Sequence, residues 1–69
     1  MINREYIRQS IINHTGDKRI RSACLKVSEQ TGIPDYVVYS FARCSLPREK
    51  DLVLLIKTLK LDTKKMFDI

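Results

Sequence analysis

The stretch Lys26–Cys44, "KVSEQTGIPDYVVYSFARC", decides the fold. Two helical patterns meet in it across a break at Gly32, Ile33 and Pro34. Upstream, Val27 continues a stripe through Ile20 and Cys24 at i, i+4 and i+7, the repeat of one helix face, with Ala23 and Leu25 adjoining. Gly32 tolerates positive φ, the conformation in which helices commonly end. Pro34 suits the start of the next helix, where its missing N–H costs nothing. Asp35 follows in the first turn, where the helix dipole favours negative charge. Val38 and Phe41 then point inward, with Val37 on the margin, and the spacing predicts a helix over 34–44.

The same periodicity runs outward in both directions. In "NREYIRQSIINH", Asn3 is a good N-cap. Tyr6, Ile7 and Ile11 share a face, with Ile12 beside them, and Arg4 and Arg8 stand one turn apart elsewhere. Gly16 breaks the chain, and Asp17 is placed to cap a second helix over 17–31. Beyond "CSLP", Leu52, Leu55, Ile56 and Leu59 form the most apolar stripe, the expected centre of the core. Asp62 can cap a short fifth segment whose Met66 and Phe67 would fold back onto that core. Period-2 alternation is nowhere sustained, so the expectation is an all-α fold of five short helices. Its second and third helices meet through a short glycine-containing turn, the pattern of a helix-turn-helix unit.

Size narrows the functions. The chain has 69 residues, one domain over 1–69, and a domain this small buries only about 60% of its unfolded surface. That leaves little room for an enclosed catalytic cleft. The hydrophobic fraction of 43% is too high for disorder. No apolar run approaches the roughly 18 residues of a membrane span. "MINREYIRQS" lacks the apolar core of a signal peptide, so the expected location is the cytoplasm.

Cys24 and Cys44 are expected to be reduced thiols in that compartment. With His14 the single imidazole, neither a four-ligand metal site nor a nucleophile–base pair can be assembled, and no cofactor is expected. His14 reads as a helix-end residue. There is no glycine-rich phosphate loop, since Gly16 and Gly32 are the only glycines. No enzyme, small-molecule ligand or membrane association is therefore expected. Thirteen Lys and Arg against eight Asp and Glu give a net charge of +5, which in so short a chain favours a polyanionic partner.

From Ile20 to Phe67 the chain resembles the helix-turn-helix domain of the XRE family, which includes phage Cro and repressor proteins. The family pattern places an apolar and a small residue on the second helix, then a glycine and an apolar residue. Val27, Ser28, Gly32 and Ile33 occupy those places, and Val38 and Phe41 match the two inward residues of the recognition helix. Leu52, Leu55, Leu59, Leu61, Asp62, Met66 and Phe67 fit the Leu-rich helix, break, polar cap and final Met-Phe of the tail. Three positions depart from the pattern. Ser28 replaces the usual alanine, Cys44 stands where glycine often ends the recognition helix, and Lys60 replaces another common glycine.

The resemblance implies a compact five-helix, lambda-repressor-like DNA-binding domain, with helix 34–44 in the major groove of double-stranded DNA. Helical periodicity independently places Tyr36, Tyr39, Ser40 and Arg43 opposite Val37, Val38 and Phe41. These four are the candidate base readers. Arg43 suits guanine O6 and N7, and a tyrosine ring suits a thymine methyl. Asp35 can accept from cytosine N4 or act only as a dipole partner. For either tyrosine the ordinary alternative is packing against a neighbouring helix or subunit. Lys18, Arg19 and Arg21, at the front of the second helix, are candidate phosphate contacts, with Ser45 and Arg48 behind them in rank. Lys57, Lys60, Lys64 and Lys65 read as solubility charges on the far side.

Family members pair on half-sites about 34 Å apart, which implies a homodimer on a palindromic operator. Leu61, Met66, Phe67 and Ile69 are the candidate dimer contacts, and equally the candidates to close the core. The leading expectation is a small Cro-like repressor of phage or mobile-element type. The alternative is a protein-interaction module on the same fold, an antitoxin or host-factor binder, which the outward tyrosines would suit.

Overall fold

A computed structural model gives the fold and describes residues 2–43 and 45–67. Its elements in chain order are α1 (Arg4–Thr15), α2 (Ile20–Thr31), α3 (Asp35–Ala42), α4 (Glu49–Leu59) and α5 (Thr63–Met66), with no strand among the described residues. The all-α, five-helix expectation holds. A Cα radius of gyration of 10.5 Å is that of a compact chain, for which about 11 Å is usual at this length.

Side-chain caps open two of the five helices, α1 and α5. The Asn3 side chain accepts from the Tyr6 N–H to open α1, and the Asp62 carboxylate accepts from the Lys64 N–H to open α5. The start of α2 differs from expectation. It begins at Ile20 with Arg19 at its N-cap. Asp17 instead closes a tight turn, its carboxylate accepting the Arg19 N–H at 3.0 Å and pairing with Lys26 at 3.4 Å. Two residues is the natural reach of an Asx turn, so Asp17 organises the entry to the helix from outside it. The third helix is also shorter than 34–44. It ends at Ala42, with Arg43 as its C-cap, and Cys44 lies outside the described residues.

Left-handed residues close three helices. Gly16 and Gly32 take φ of 73° and 78° after α1 and α2. Lys60 takes φ 53° after α4, so it adopts the conformation for which glycine is the usual choice. The Leu61 N–H then reaches back to the Ile56 carbonyl at 3.0 Å, the six-residue closure of a Schellman end.

Buried apolar side chains come from every helix, and none of the described buried residues is polar. The centre of the core lies on α1, α2 and α3 rather than on the Leu-rich fourth helix. Ile7, Ile11, Ala23, Val27, Val38 and Phe41 are sealed from solvent there, and Phe41 is the largest of them. From α4 only Leu55 and Leu59 are buried, while Leu52 and Ile56 are half-buried at its edge. α4 packs on α1 and α2, and of its apolar stripe only Leu55 and Leu59 are enclosed there. Leu25 is also displaced from the inward stripe. It is 49% exposed, because one residue beyond Cys24 the helix has turned by about 100°.

The link between α2 and α3 is hydrogen-bonded on both sides. Ser28 donates its hydroxyl to the Ile33 carbonyl. Thr31 donates to the Val27 carbonyl and accepts the Ile33 N–H. Ser28 therefore fastens the turn between α2 and α3. At the opposite end, Asn3 N–H donates to the Met66 carbonyl at 2.7 Å and Asp62 N–H donates to the Tyr6 hydroxyl at 2.8 Å. Those two bonds dock the C-terminal segment onto α1. His14, at the end of α1, pairs with Gln30 at 2.8 Å, a structural contact between helix ends.

Candidate nucleic-acid interface

Inward burial of Val38, Phe41 and Ala42 leaves the opposite face of α3 outside. Asp35, Tyr36, Ser40 and Arg43 are exposed there, Tyr36 most of all at 70%. Tyr39 is different. It is half-buried against the core, and two guanidinium groups lie over its ring, Arg21 at 5.5 Å and Arg43 at 5.8 Å from the ring centroid. Each such contact contributes about 0.5–1 kcal/mol at an exposed site. Tyr39 thus joins α2 to the C-terminal end of α3, the packing alternative foreseen for a tyrosine on this face.

Three recesses surround α3 and sort the candidate residues. The widest, about 580 Å³, runs between α3 and the segment before α4, and brings Tyr36 and Ser40 together with Ser45 and Arg48. Its wall also carries Leu46, 51% exposed, and Asp51. A second cleft of about 220 Å³ joins Arg21 and Cys24 of α2 to Asp35, Tyr36 and Tyr39 of α3. The third, about 80 Å³, is lined by Arg4 and Arg8 of α1, Ile20 of α2, and Tyr39, Ala42 and Arg43. Lys18 and Arg19 line none of these three. They are exposed in the turn before α2, whose first N–H groups have no side-chain cap.

Electrostatics follow this layout. Among the described residues the single ion pair is Lys26 with Asp17, so the arginines around Tyr39 have no carboxylate partner. The Arg19 N–H holds the Asp17 carboxyl below its usual range, with Lys26 reinforcing it. Asp35 is exposed in the first turn of α3, and its carboxylate is felt by the buried Cys24. Burial first, and that carboxylate second, push the Cys24 thiol up to about 11. A thiol so protonated and enclosed is a core residue.

Arg4 and Arg8 enter this surface without having been expected there. Their one-turn spacing is visible in the sequence, but not the packing of α1 against the end of α3 that sets them beside Arg43. The candidate dimer contacts divide as well. Leu61 and Met66 are buried and close the core, Phe67 is half-buried against it, and Ile69 lies outside the described residues. Val53 and Leu54 of α4, 45% and 39% exposed, are instead the apolar residues α4 leaves outside. Among the described residues no group of three or more His, Cys, Asp and Glu is placed to hold a metal ion. No helix among them is long and apolar enough to cross a membrane.

Comparison with protein-family models, with curated proteins and with solved structures found no match to this chain.

Proposed function

We propose that the protein is a sequence-specific double-stranded-DNA-binding regulator of the XRE helix-turn-helix type, a small Cro-like repressor that acts in the cytoplasm. In this reading α2, the Gly32–Pro34 turn and α3 form the helix-turn-helix unit of a lambda-repressor-like domain, and α3 enters the major groove. One observation carries it. The exposed face of α3 presents Tyr36, Ser40 and Arg43 between a basic flank (Arg21, Arg4, Arg8) and a second flank (Ser45, Arg48). Groups that can reach base edges are thus bracketed by groups that suit phosphates, the division of labour such interfaces need. Tyr36 and Ser40 are the better base readers. Tyr39 supports them from below, and Asp35 serves the helix dipole. A homodimer on a palindromic operator completes the proposal. Since Leu61 and Met66 are inside the core, pairing would draw on exposed residues such as Val53 and Leu54.

The test is selection of bound sequences from a random duplex pool, followed by affinity measured against salt. DNA binding requires a log–log slope of about −0.9 per phosphate neutralised. The Arg19→Ala, Arg21→Ala double variant should weaken every duplex alike. Tyr36→Ala or Ser40→Ala should change preference at one or two base pairs by about 1–3 kcal/mol. An affinity flat across salt, with no sequence enriched, refutes the proposal. The exposed Tyr36 and Leu46 on one groove favour a second reading, a protein-interaction module. That reading predicts the flat salt response.

A further inference from the structure

We propose that Arg4, Arg8 and Arg43 form a clamp for one backbone phosphate of a nucleic acid, with the Tyr39 ring as its floor. The clamp rests on the DNA-binding reading and extends it to α1, a helix outside the helix-turn-helix unit. Arg4 and Arg8 lie one turn apart on one side of α1, and with Arg43 they line a single recess. Like charges at this spacing destabilise a helix by about 0.2–0.5 kcal/mol, and a third guanidinium adds to the repulsion. No carboxylate lines the recess, and no ion pair among the described residues involves these arginines. The missing counter-charge is what an anionic ligand would bring.

Tyr39 prepares the site. Its ring lies within cation–π reach of both the Arg43 and the Arg21 guanidinium groups, which limits the freedom Arg43 would otherwise lose on binding. Ile20, Ala42 and Tyr39 supply the apolar part of the lining beside the three arginines. Guanidinium groups present planar forks that match phosphate oxygens. A recess of about 80 Å³ takes one phosphate group and not a whole nucleotide. A phosphodiester passing along the surface meets that limit. Its source is a strand lying across α3, because the recess opens beside Arg43 at the end of that helix.

The decisive comparison is DNA affinity against salt for the wild type and the Arg4→Ala, Arg8→Ala variant. An operator-like duplex from the selected pool and an unrelated duplex are both measured. Arg4 and Arg8 are exposed, so the variant should fold, and its thermal melt verifies that. The expected result is a slope shallower by about 0.9, one phosphate lost, with both duplexes weakened by the same factor. Arg4→Lys with Arg8→Lys should keep the wild-type slope. An unchanged slope in the alanine variant overturns the clamp and leaves the DNA-binding proposal standing. If the wild type binds no duplex, that proposal falls, and titration with inorganic phosphate separates what is left. Shifted Arg4 and Arg8 Nε–H resonances would then overturn the nucleic-acid source in favour of free phosphate, and unshifted ones would overturn the clamp itself.

Discussion

Lys60→Gly should stabilise the protein although it removes a whole side chain and a charge. Lys60 is exposed, and its φ of 53° and ψ of 50° place it in the left-handed region. It is the only non-glycine residue with positive φ among those described. An L-residue there costs about 1–2 kcal/mol from Cβ crowding. Glycine removes that cost but loosens the unfolded chain, which offsets about 0.4–1 kcal/mol. The net gain is about 0.5–1 kcal/mol, a rise in Tm of about 2–8 °C for a domain of this size. Urea unfolding followed by far-UV circular dichroism measures it, and the midpoint should rise with the slope m unchanged. Lys60→Ala is the control. It removes the same charge, close in sequence to Lys57, Lys64 and Lys65, but keeps the Cβ, so it should gain little. Gly32→Ala probes the reverse case. An added Cβ there would meet nothing within 4 Å, so its net loss of about 0.5–1 kcal/mol, the crowding cost less the gain from a stiffer unfolded chain, would be conformational alone. Equal stabilisation by Lys60→Gly and Lys60→Ala would refute the backbone argument and assign the effect to charge.

Two further outcomes check the packing. Tyr6→Phe removes the hydroxyl that accepts the Asp62 N–H and should cost about 0.5–1.5 kcal/mol. Hydrogen exchange at the Asp62 amide should quicken with it, and unchanged exchange would show that α5 is not held this way. In a Cys44→Ser background, Cys24 should react with a disulfide reagent only as fast as the protein opens, since it is 1% exposed and its thiol is pushed up to about 11. The unfolded thiol ionises near its ordinary 9.0, so unfolding above that pH releases a proton. Cys24's contribution is therefore complete below pH 9 and declines as pH rises through 11, a slope that Cys24→Ala should lack.

Most of the architecture was readable because it is local. Asn3, Asp62, Gly16 and Gly32 act on their own helix ends, and the stripes of α1, α2 and α3 need only a periodicity of about 3.6 residues. What failed was not local. Asp17 looked like an N-cap by residue type, yet two residues decide whether a carboxylate caps the helix or the turn before it. The apolar run of α4 looked like the centre of the core, because a stripe reports which face is buried and not how deeply. Depth depends on which helices meet, and α1, α2 and α3 pack mainly on one another, with α4 set against α1 and α2.

The candidate interface shows the same division within one helix. Tyr36 and Tyr39 are three residues apart, so they lie about 60° from each other on one face, and periodicity gives them the same role. Their surroundings do not. Tyr36 lines a groove, while Tyr39 lies beneath the guanidinium groups of Arg21 and Arg43, one contributed by another helix and one by the C-cap of α3. The contact with Arg21 comes from another helix, and no window along α3 contains it. Arg4 and Arg8 escaped notice for the same reason, being more than thirty residues from Arg43. If the clamp holds a phosphate, a substitution at Tyr39 should act through the arginines it positions. Tyr39→Phe keeps the ring and should leave affinity and base preference together unchanged. Tyr39→Leu should lower affinity for all duplexes, whereas a direct base reader would change preference among them.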